Sequence, residues 1–301
     1  MESLKVRLIL ACAIFFWGSA YVGIRIGLAS FSPGALALFR FFIASIIMFF
    51  IYRCTSFTQS LPWRVRMQLI IIGMIGIGLY NICLNYGELT VSAGIASFIV
   101  GLMPVITLLF SIIFLKERPA PVVYVGISIS LLGLLGIALA ENIHHSMQIG
   151  ICALFCSAVV GAFYTIILRP FLRHYHPIAV SAWTIWGGMM ILLMYVSSLW
   201  HELGHADHRS ILAALYIGIF PAALAYMAWS YVLNFLPASR AVLYLYAAPL
   251  VAMLLGFFLL QECPSLFSLA GCVLALLGAL LASCSHLLPF AFKSRRKLVV
   301  E

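Results

Sequence analysis

Charged residues are scarce in this 301-residue chain: they make up 8% of it, whereas hydrophobic residues make up 65%. Soluble globular domains carry about 25% charged residues, so this composition excludes a protein covered by a water-exposed surface. The chain also lacks a Walker A sequence, which excludes ATP-driven pumping without a separate subunit. Its eight cysteines stand singly, without metal-ligand spacing, and we interpret them as small apolar residues. We therefore expect neither a metal nor a cofactor.

Ten apolar segments are long enough to cross a membrane, which takes about 20 helical residues. The first could pass for a secretory signal, but its apolar run continues through residues 17–27, beyond a cleavage site. Short connections separate the segments, and no soluble domain interrupts them. We predict an all-α integral membrane protein with ten transmembrane helices, at residues 8–28, 34–52, 67–86, 92–115, 121–140, 147–168, 178–198, 211–232, 238–260 and 266–287.

The basic residues predict the orientation of these helices. If the N-terminus is cytoplasmic, 14 of the 17 lysines and arginines fall on the cytoplasmic side: Lys5, Arg7, Arg53, Arg64, Arg66, Lys116, Arg118, Arg169, Arg173, Arg240, Lys293, Arg295, Arg296 and Lys297. Such a bias follows the positive-inside rule, so we expect both termini in the cytoplasm, with a basic tail at 288–301. The net charge of +9 thus reflects membrane topology rather than nucleic-acid binding, because the basic residues form no continuous face.

The second half of the chain repeats the first. Residues 86–136 align without a gap with residues 231–281, at an offset of 145, which pairs Pro104 with Pro249. Each copy holds five predicted spans, an odd number, so the second copy enters the membrane from the opposite side. Inverted repeats of this kind build many secondary transporters. We expect one bundle made of two repeats, at residues 8–140 and 147–287.

These repeated motifs resemble the drug/metabolite transporter superfamily and, within it, the ten-span EamA-type family. The resemblance covers about residues 11–286 and rests on Trp17-Gly18-Ser19, Ile24-Arg25-Ile26-Gly27, Ser32-Pro33, Leu38-Phe39-Arg40-Phe41, Val91-Ser92-Ala93, Pro104, Leu115-Lys116-Glu117-Arg118, Pro237-Ala238-Ser239-Arg240-Ala241, Pro249 and Glu262. The chain departs from the family pattern at Glu88, where a small or apolar residue is usual, at Ala162-Phe163, which replaces a second Trp-Gly, and at Gln261, where glycine is usual.

The resemblance implies a secondary transporter that moves amino acids or related small metabolites by alternating access, without ATP hydrolysis. It implies export across the plasma membrane, which is the bacterial inner membrane, with a proton or a counter-substrate as the coupling partner. Because some relatives of this fold import metabolites, an importer or exchanger is the alternative. The lipid bilayer and a small-molecule substrate are the expected partners.

A substrate cavity is expected near the membrane midplane. Pro104 and Pro249 stand near the centres of spans four and nine, where broken helices leave backbone groups free to bind or to gate. Asn81 and Asn85 share one face of span three, and polar side chains in a membrane usually face a bundle interior. The expected substrate-binding residues are Trp17, Tyr80, Asn81, Asn85, Tyr226, Trp229 and Tyr246. Hydrogen bonding between helices is the alternative role for the polar residues among them.

Three charged residues are further candidates for substrate contacts. Arg40 lies about six residues into span two, where it either faces the cavity or extends to the interface. Arg240 either attracts a carboxylate or anchors span nine in the headgroups. Glu88 stands near the outer loop, so we expect a solvated carboxylate there, and it qualifies as a proton carrier only if it is buried.

One motif favours a different class of protein. The sequence from His201 to His205 matches H-E-x-x-H, in which two histidines hold zinc and the glutamate acts as the base of a protease. We expect this segment in a short polar loop between spans seven and eight, too small to build a water-excluding cleft. A zinc-dependent membrane protease and a non-transporting scaffold therefore remain the competing hypotheses.

Overall fold

The computed structural model describes residues 4–57, 60–114, 120–140, 145–233, 235, 244–263 and 265–283, and the regular structure in these ranges is helical throughout. Its α-helices are α1 (Leu4–Gly27), α2 (Pro33–Cys54), α3 (Trp63–Gly73), α4 (Tyr80–Gly87), α5 (Ala93–Val100), α6 (Met103–Phe114), α7 (Pro121–Ala140), α8 (His145–His174), α9 (Pro177–Leu192), α10 (Val196–Leu203), α11 (His208–Ile219), α12 (Ala225–Leu233), α13 (Ala248–Leu260) and α14 (Leu266–Ser283). The all-α class predicted from the sequence is confirmed for the described residues.

Within the described ranges, seven helical segments are long and apolar enough to cross a membrane: Leu4–Gly27, Pro33–Cys54, Trp63–Gly87, Ala93–Phe110, Ser146–His174, Pro177–Leu203 and His208–Trp229. Three shorter apolar helices, Pro121–Gly136, Leu245–Leu260 and Leu266–Ala282, accompany them. Large apolar side chains cover the outside of the bundle, and Phe267, for example, is 77% exposed. Such a surface suits lipid rather than water, so the chain is a multi-pass membrane protein. The count of ten spans stays a prediction.

Two of the spanning segments contain a turn of π-helix. Met74–Leu79 joins α3 to α4, and Phe220–Leu224 joins α11 to α12. The first turn contains Gly76 and Gly78, which permit irregular backbone conformations. The second contains Pro221, which has no N–H to donate. A π-turn widens the helix and frees backbone carbonyls from their usual partners, and such turns are frequent at functional sites.

The two prolines that were expected to break helices occupy equivalent places. Pro104 is the second residue of α6, directly after an irregular turn at residues 101–102. Pro249 is the second residue of α13, directly after the 3₁₀ turn Leu245–Ala247. The first turn of a helix tolerates proline because its N–H groups have no helical partner there. Both prolines thus begin new helices.

Small residues allow α7 and α14 to pack with their backbones in contact. A Cβ atom placed on Gly133 would lie 2.3 Å from the backbone nitrogen of Ala275, so no larger side chain fits there. One turn away, the Ser130 hydroxyl donates to the Ala275 carbonyl at 2.9 Å. Close backbone approach through small residues is a common basis of helix association in membranes, where no hydrophobic driving force acts between helices.

Two turns at one end of the bundle have the same backbone hydrogen bonds. In residues 28–32, which connect α1 to α2, the Phe31 N–H donates to the Gly27 carbonyl at 3.0 Å. In residues 88–92, which connect α4 to α5, the Val91 N–H donates to the Gly87 carbonyl at 3.1 Å. The three preceding donors of each turn match in the same way, so Leu28 in the first turn and Glu88 in the second hold equivalent positions.

Candidate functional site

A cavity of about 330 Å³ lies inside the helical bundle. Residues of α1, α2, α4, α5, α6, α8, α12 and α13, together with the π-turn Met74–Leu79, line it. This volume falls at the lower end of the range for small-molecule sites, about 300–1,000 Å³. The cavity therefore suits a small metabolite.

Most of the residues predicted to bind substrate line this cavity. They are Trp17, Tyr80, Asn81, Tyr226, Trp229 and Tyr246, and Pro104, Pro249 and Arg40 join them. Asn85 does not line the cavity. Its Nδ2 instead donates to the backbone carbonyl of Pro33 at 2.9 Å. Asn85 thus ties α4 to α2, the interhelical alternative considered above. Arg240 lies outside the described residues.

An aromatic cluster forms one wall of the cavity. The Trp17 ring meets Tyr226 and Trp229 edge to face, with ring centroids 5.7 and 5.5 Å apart. The Trp17 indole N–H donates to the carbonyl of Pro221, in the second π-turn, at 3.2 Å. This bond fixes the Trp17 ring in the cavity wall, beside two other aromatic rings that an apolar or aromatic group of a ligand can pack against.

Arg40 brings a positive charge to the cavity, and it is only 7% exposed. Its Nη1 donates to the Asn81 Oδ1 at 3.1 Å, while its Nε has no hydrogen-bond partner within the described ranges. The Asn81 Nδ2 donates in turn to the Ile77 carbonyl of the first π-turn, at 2.8 Å. Among the described residues, no carboxylate lies within ion-pairing distance of Arg40. A buried, unpaired guanidinium is costly, and a bound anion would relieve that cost.

Further lining residues carry weak sequence signals. Tyr164 lines the cavity and donates its hydroxyl to the Thr184 Oγ1 at 3.2 Å, which connects α8 to α9. Ser97 and Thr165 also line the cavity, but their hydroxyls donate to carbonyls of their own helices. Single hydroxyl residues in apolar helices are common. The one sequence signal for these lining residues was that each is a polar side chain within span four or span six. Tyr21 is a further lining residue on α1.

The prediction of a solvated carboxylate at Glu88 is wrong. Glu88 is 0% exposed, and among the described residues neither oxygen of its carboxyl group has a hydrogen-bond partner. It does not line the cavity, and it lies in the turn outside the spanning segments Trp63–Gly87 and Ala93–Phe110. Burial raises the pKa of its carboxyl well above the usual value, because water no longer stabilises the charged form. The sequence showed only that the residue is near a loop.

A cluster that we call the clasp consists of three charged residues, Arg25, Glu88 and Glu262, and of Ala93, which takes part through its backbone N–H. The Arg25 Nε pairs with the Glu262 Oε1 at 3.2 Å, and its Nη1 donates to the backbone carbonyl of Glu88. The Ala93 N–H donates to the Glu262 Oε2 at 2.8 Å. The clasp thus joins the end of α1, the α4–α5 turn and the segment that follows α13.

The backbone conformation at Gln261, the residue before Glu262, shows why glycine is usual at this position in the family pattern. Gln261 has a φ of 55°, the single non-glycine residue with a positive φ among the described residues. This left-handed conformation favours glycine, which the family usually has at this place. The backbone geometry is therefore that of a glycine turn, although the side chain is glutamine.

The H-E-x-x-H segment is partly helical, so its prediction as a loop was wrong in part. His201 and Glu202 lie in the last turn of α10, and the two histidine rings are 5.3 Å apart. The Glu202 Oε2 accepts a hydrogen bond from the Ser32 backbone N–H at 2.9 Å. Nearby, Asp207 caps α11 by accepting from the Ser210 N–H at 2.6 Å, and this bond lowers the pKa of the Asp207 carboxyl. These acids connect helix ends at the surface.

An apolar helical bundle that encloses a mainly apolar cavity with a few polar groups, including Arg40 and Asn81, is typical of membrane transport proteins. The sequence model of the EamA-like transporter family matches the chain twice, at residues 4–139 and 148–284. The chain therefore belongs to the EamA-like transporter family, and the resemblance seen in its motifs is confirmed. A small-molecule substrate and membrane lipid are the partners that this membership implies.

Relatives match nearly the whole chain. It is 34% identical to the "Uncharacterized transporter YdfC" of Bacillus subtilis, across 92% of this chain and 90% of that protein. It is 27% identical to the "Probable terminal-alkyne amino-acid exporter" of Streptantibioticus cattleyicolor, across 93% of this chain and 94% of that protein. A solved crystal structure that is 22% identical superposes with a TM-score of 0.65, across 93% of this chain and 98% of the other, which supports the fold alone.

Proposed function

We propose that this protein is a secondary active transporter that exports amino acids or related small metabolites across the plasma membrane by alternating access. The observation that carries the proposal is Arg40, a buried cation without a carboxylate partner among the described residues, in a cavity of metabolite size. One relative is named as an amino-acid exporter, which favours the same substrate class. The protein is not an enzyme under this proposal.

The proposed binding mode follows from the two sides of the cavity. A substrate carboxylate accepts from the Arg40 guanidinium, whose direction Asn81 fixes through its own bond to the Ile77 carbonyl. An apolar or aromatic side chain packs against Trp17, Tyr226 and Trp229. The cavity thus selects small molecules with a carboxylate at one end and an apolar group at the other.

The proposed architecture comprises ten spans in two inverted repeats, at 8–140 and 147–287, with the tail at 288–301. Both termini are cytoplasmic in the bacterial inner membrane, and the clasp closes the outer end. The double match of the family model and the repeated proline positions support this arrangement. Because the chain lacks a Walker A sequence, a proton or a counter-substrate drives transport. Import or exchange through the same cavity is the alternative direction.

Proteolysis has less support from the site. Glu202, which would act as the base, accepts a hydrogen bond from the Ser32 backbone and so connects two helix ends. The residues of the motif are intermediate or exposed, so no water-excluding cleft surrounds them. No specific observation favours the protease hypothesis.

Efflux from proteoliposomes loaded with a mixture of common amino acids tests the proposal. Arg40→Gln removes a charge-assisted hydrogen bond, which contributes about 1.5–3 kcal/mol. We therefore expect efflux below saturation to fall about 10- to 100-fold. The control variant His201→Ala with His205→Ala should retain efflux, because the motif lies away from the cavity. Absence of amino-acid efflux by the parent protein would contradict the proposal, and chelator-sensitive cleavage of casein would favour a protease.

A further inference from the structure

Glu88 holds a buried carboxyl group that the fold itself does not require. The equivalent position in the matching turn 28–32 is Leu28, and both turns form the same backbone hydrogen bonds. An apolar side chain therefore satisfies this turn geometry equally well. The carboxyl of Glu88 is fully buried, and in the part of the chain that the structure describes neither oxygen has a hydrogen-bond partner. Such a state is less costly for a neutral group than for an ionised one.

Charged groups from three other elements face this carboxyl. Arg25 of α1, Arg40 of α2 and Glu262 after α13 all interact with it electrostatically, and so do the hydroxyl groups of Tyr21 and Tyr80. Of these groups, Arg25 is the one that bonds directly to the same residue, because its Nη1 donates to the Glu88 backbone carbonyl. At the same time, the Arg25 Nε holds Glu262. One guanidinium thus stands between two carboxyl groups, and it pairs with one of them.

We propose that Glu88 is a proton-binding site that controls the clasp. With its proton bound, Glu88 is neutral and does not compete for Arg25. The Arg25–Glu262 ion pair is then kept, and this end of the bundle stays closed. When the proton passes to water at that end, the Glu88 carboxylate competes with Glu262 for Arg25. The Arg25–Glu262 pair then breaks, and the segment after α13 is released from α1 and α5.

This inference rests on the proposed alternating access. Because the proton enters from and returns to the water at the outer end, it controls the closure of that end and does not itself drive export. An external proton binds Glu88 after the substrate has left, and its binding closes the outer end. The pH dependence has a definite sign, because the closed form binds the proton more tightly than the open form. The closed form is therefore favoured at low pH and is lost as pH rises through the pKa of the closed state.

Distances between spin labels test the site without any substrate. Cys263 and the substitution Leu89→Cys place labels on the two sides of the clasp, at exposed positions, after the other cysteines are replaced by serine. Double electron–electron resonance is recorded in proteoliposomes between about pH 5 and pH 9, a range above the ordinary pKa of a glutamate, about 4.3. We expect a short distance at low pH and a growing population of longer distances as pH rises.

Three variants separate proton binding from a structural role. Glu88→Gln keeps the size of the side chain but cannot ionise, so the short distance should persist at every pH. Glu88→Leu, which copies Leu28, should do the same and covers the case in which Gln misfolds. Glu202→Gln removes another carboxylate at this end and should leave the pH response of the parent unchanged.

Two results would overturn the inference: a parent distance that does not change with pH, or a Glu88→Gln variant with the same pH response as the parent. Amino-acid efflux measured in the same proteoliposomes keeps the two proposals distinguishable. A pH response without efflux refutes the proposed substrate and retains the proton site. Efflux without a pH response refutes the proton site alone.

Discussion

At the scale of single residues, two asparagines one helical turn apart have different tasks. Asn81 holds Arg40 with its Oδ1 and the Ile77 carbonyl with its Nδ2, so its amide cannot turn over without losing both bonds. Asn85 lies beyond the cavity and ties α4 to the Pro33 carbonyl of α2. The same side chain thus orients a cavity residue in one position and connects helices in the other.

Asn81→Leu and Tyr226→Leu should reduce transport per folded molecule and change the preference among substrates. Both remove a polar group of the cavity wall while keeping approximate volume and helix propensity. Amino-acid efflux normalised to the folded fraction is the measurement. Asn85→Leu is the matched control, because it should lower thermal stability in detergent by the loss of one hydrogen bond, about 0.5–1.5 kcal/mol, with efflux per folded molecule retained. If both the Asn81 and the Tyr226 variants had the same efflux per folded molecule as the parent protein, this cavity assignment would be ruled out.

At the scale of helices, interruptions rather than regular turns build the site. The carbonyls of Ile77 and Pro221, one in each π-turn, accept hydrogen bonds from the cavity residues Asn81 and Trp17. The Ile77 carbonyl also accepts from the Tyr80 backbone N–H, so the helix and the Asn81 side chain share it. Backbone carbonyls of the two π-turns thus fix two side chains of the cavity wall.

Helix packing predicts opposite results for two glycines of α7. In Gly133→Ala, the new Cβ atom would lie 2.3 Å from the Ala275 backbone nitrogen, which cannot move without shifting α14. Overpacking of this kind typically costs about 1–3 kcal/mol, so the melting temperature in detergent should fall. In Gly136→Ala, the nearest atom is 3.7 Å away, an ordinary contact, and the melting temperature should rise slightly, because alanine favours a helix more than glycine does. The same melting temperature for both variants would show that α7 and α14 are less closely packed than described.

The sequence predicts helices far better than it predicts contacts between them. Runs of about 20 apolar residues are sufficient to indicate spanning helices. Asn81 could be placed at an interior face by its spacing from Asn85, and Tyr226 by its equivalent position in the second repeat. The burial of Glu88 could not be predicted, because it depends on Arg25 and on Glu262, which is 169 residues from Ala93 in the chain. The π-turns were also missed, since glycine and proline in an apolar run are compatible with several kinds of irregular turn.

At the scale of the whole molecule, the distribution of basic residues predicts which end faces the cytoplasm. Cysteines introduced singly at Arg64 and at His205, in a background without other cysteines, test this orientation. In intact cells, an impermeant maleimide should label position 205 and should reach position 64 only after permeabilisation. The reverse labelling pattern would invert the proposed topology and place the clasp at the cytoplasmic end.

The separation of charged partners along the chain has a consequence for biosynthesis. Asn81 follows Arg40 by 41 residues, whereas Glu262 follows Arg25 by 237 residues. At about 5–20 residues per second of translation, Arg40 waits roughly 2–8 s for its partner and Arg25 roughly 12–47 s. The cation inside the membrane thus gains its hydrogen-bond partner early, while the ribosome is still producing the first half of the protein. Arg25 is a third exposed and stands at a helix end, so water can solvate it until the late-synthesised helix that precedes Glu262 arrives.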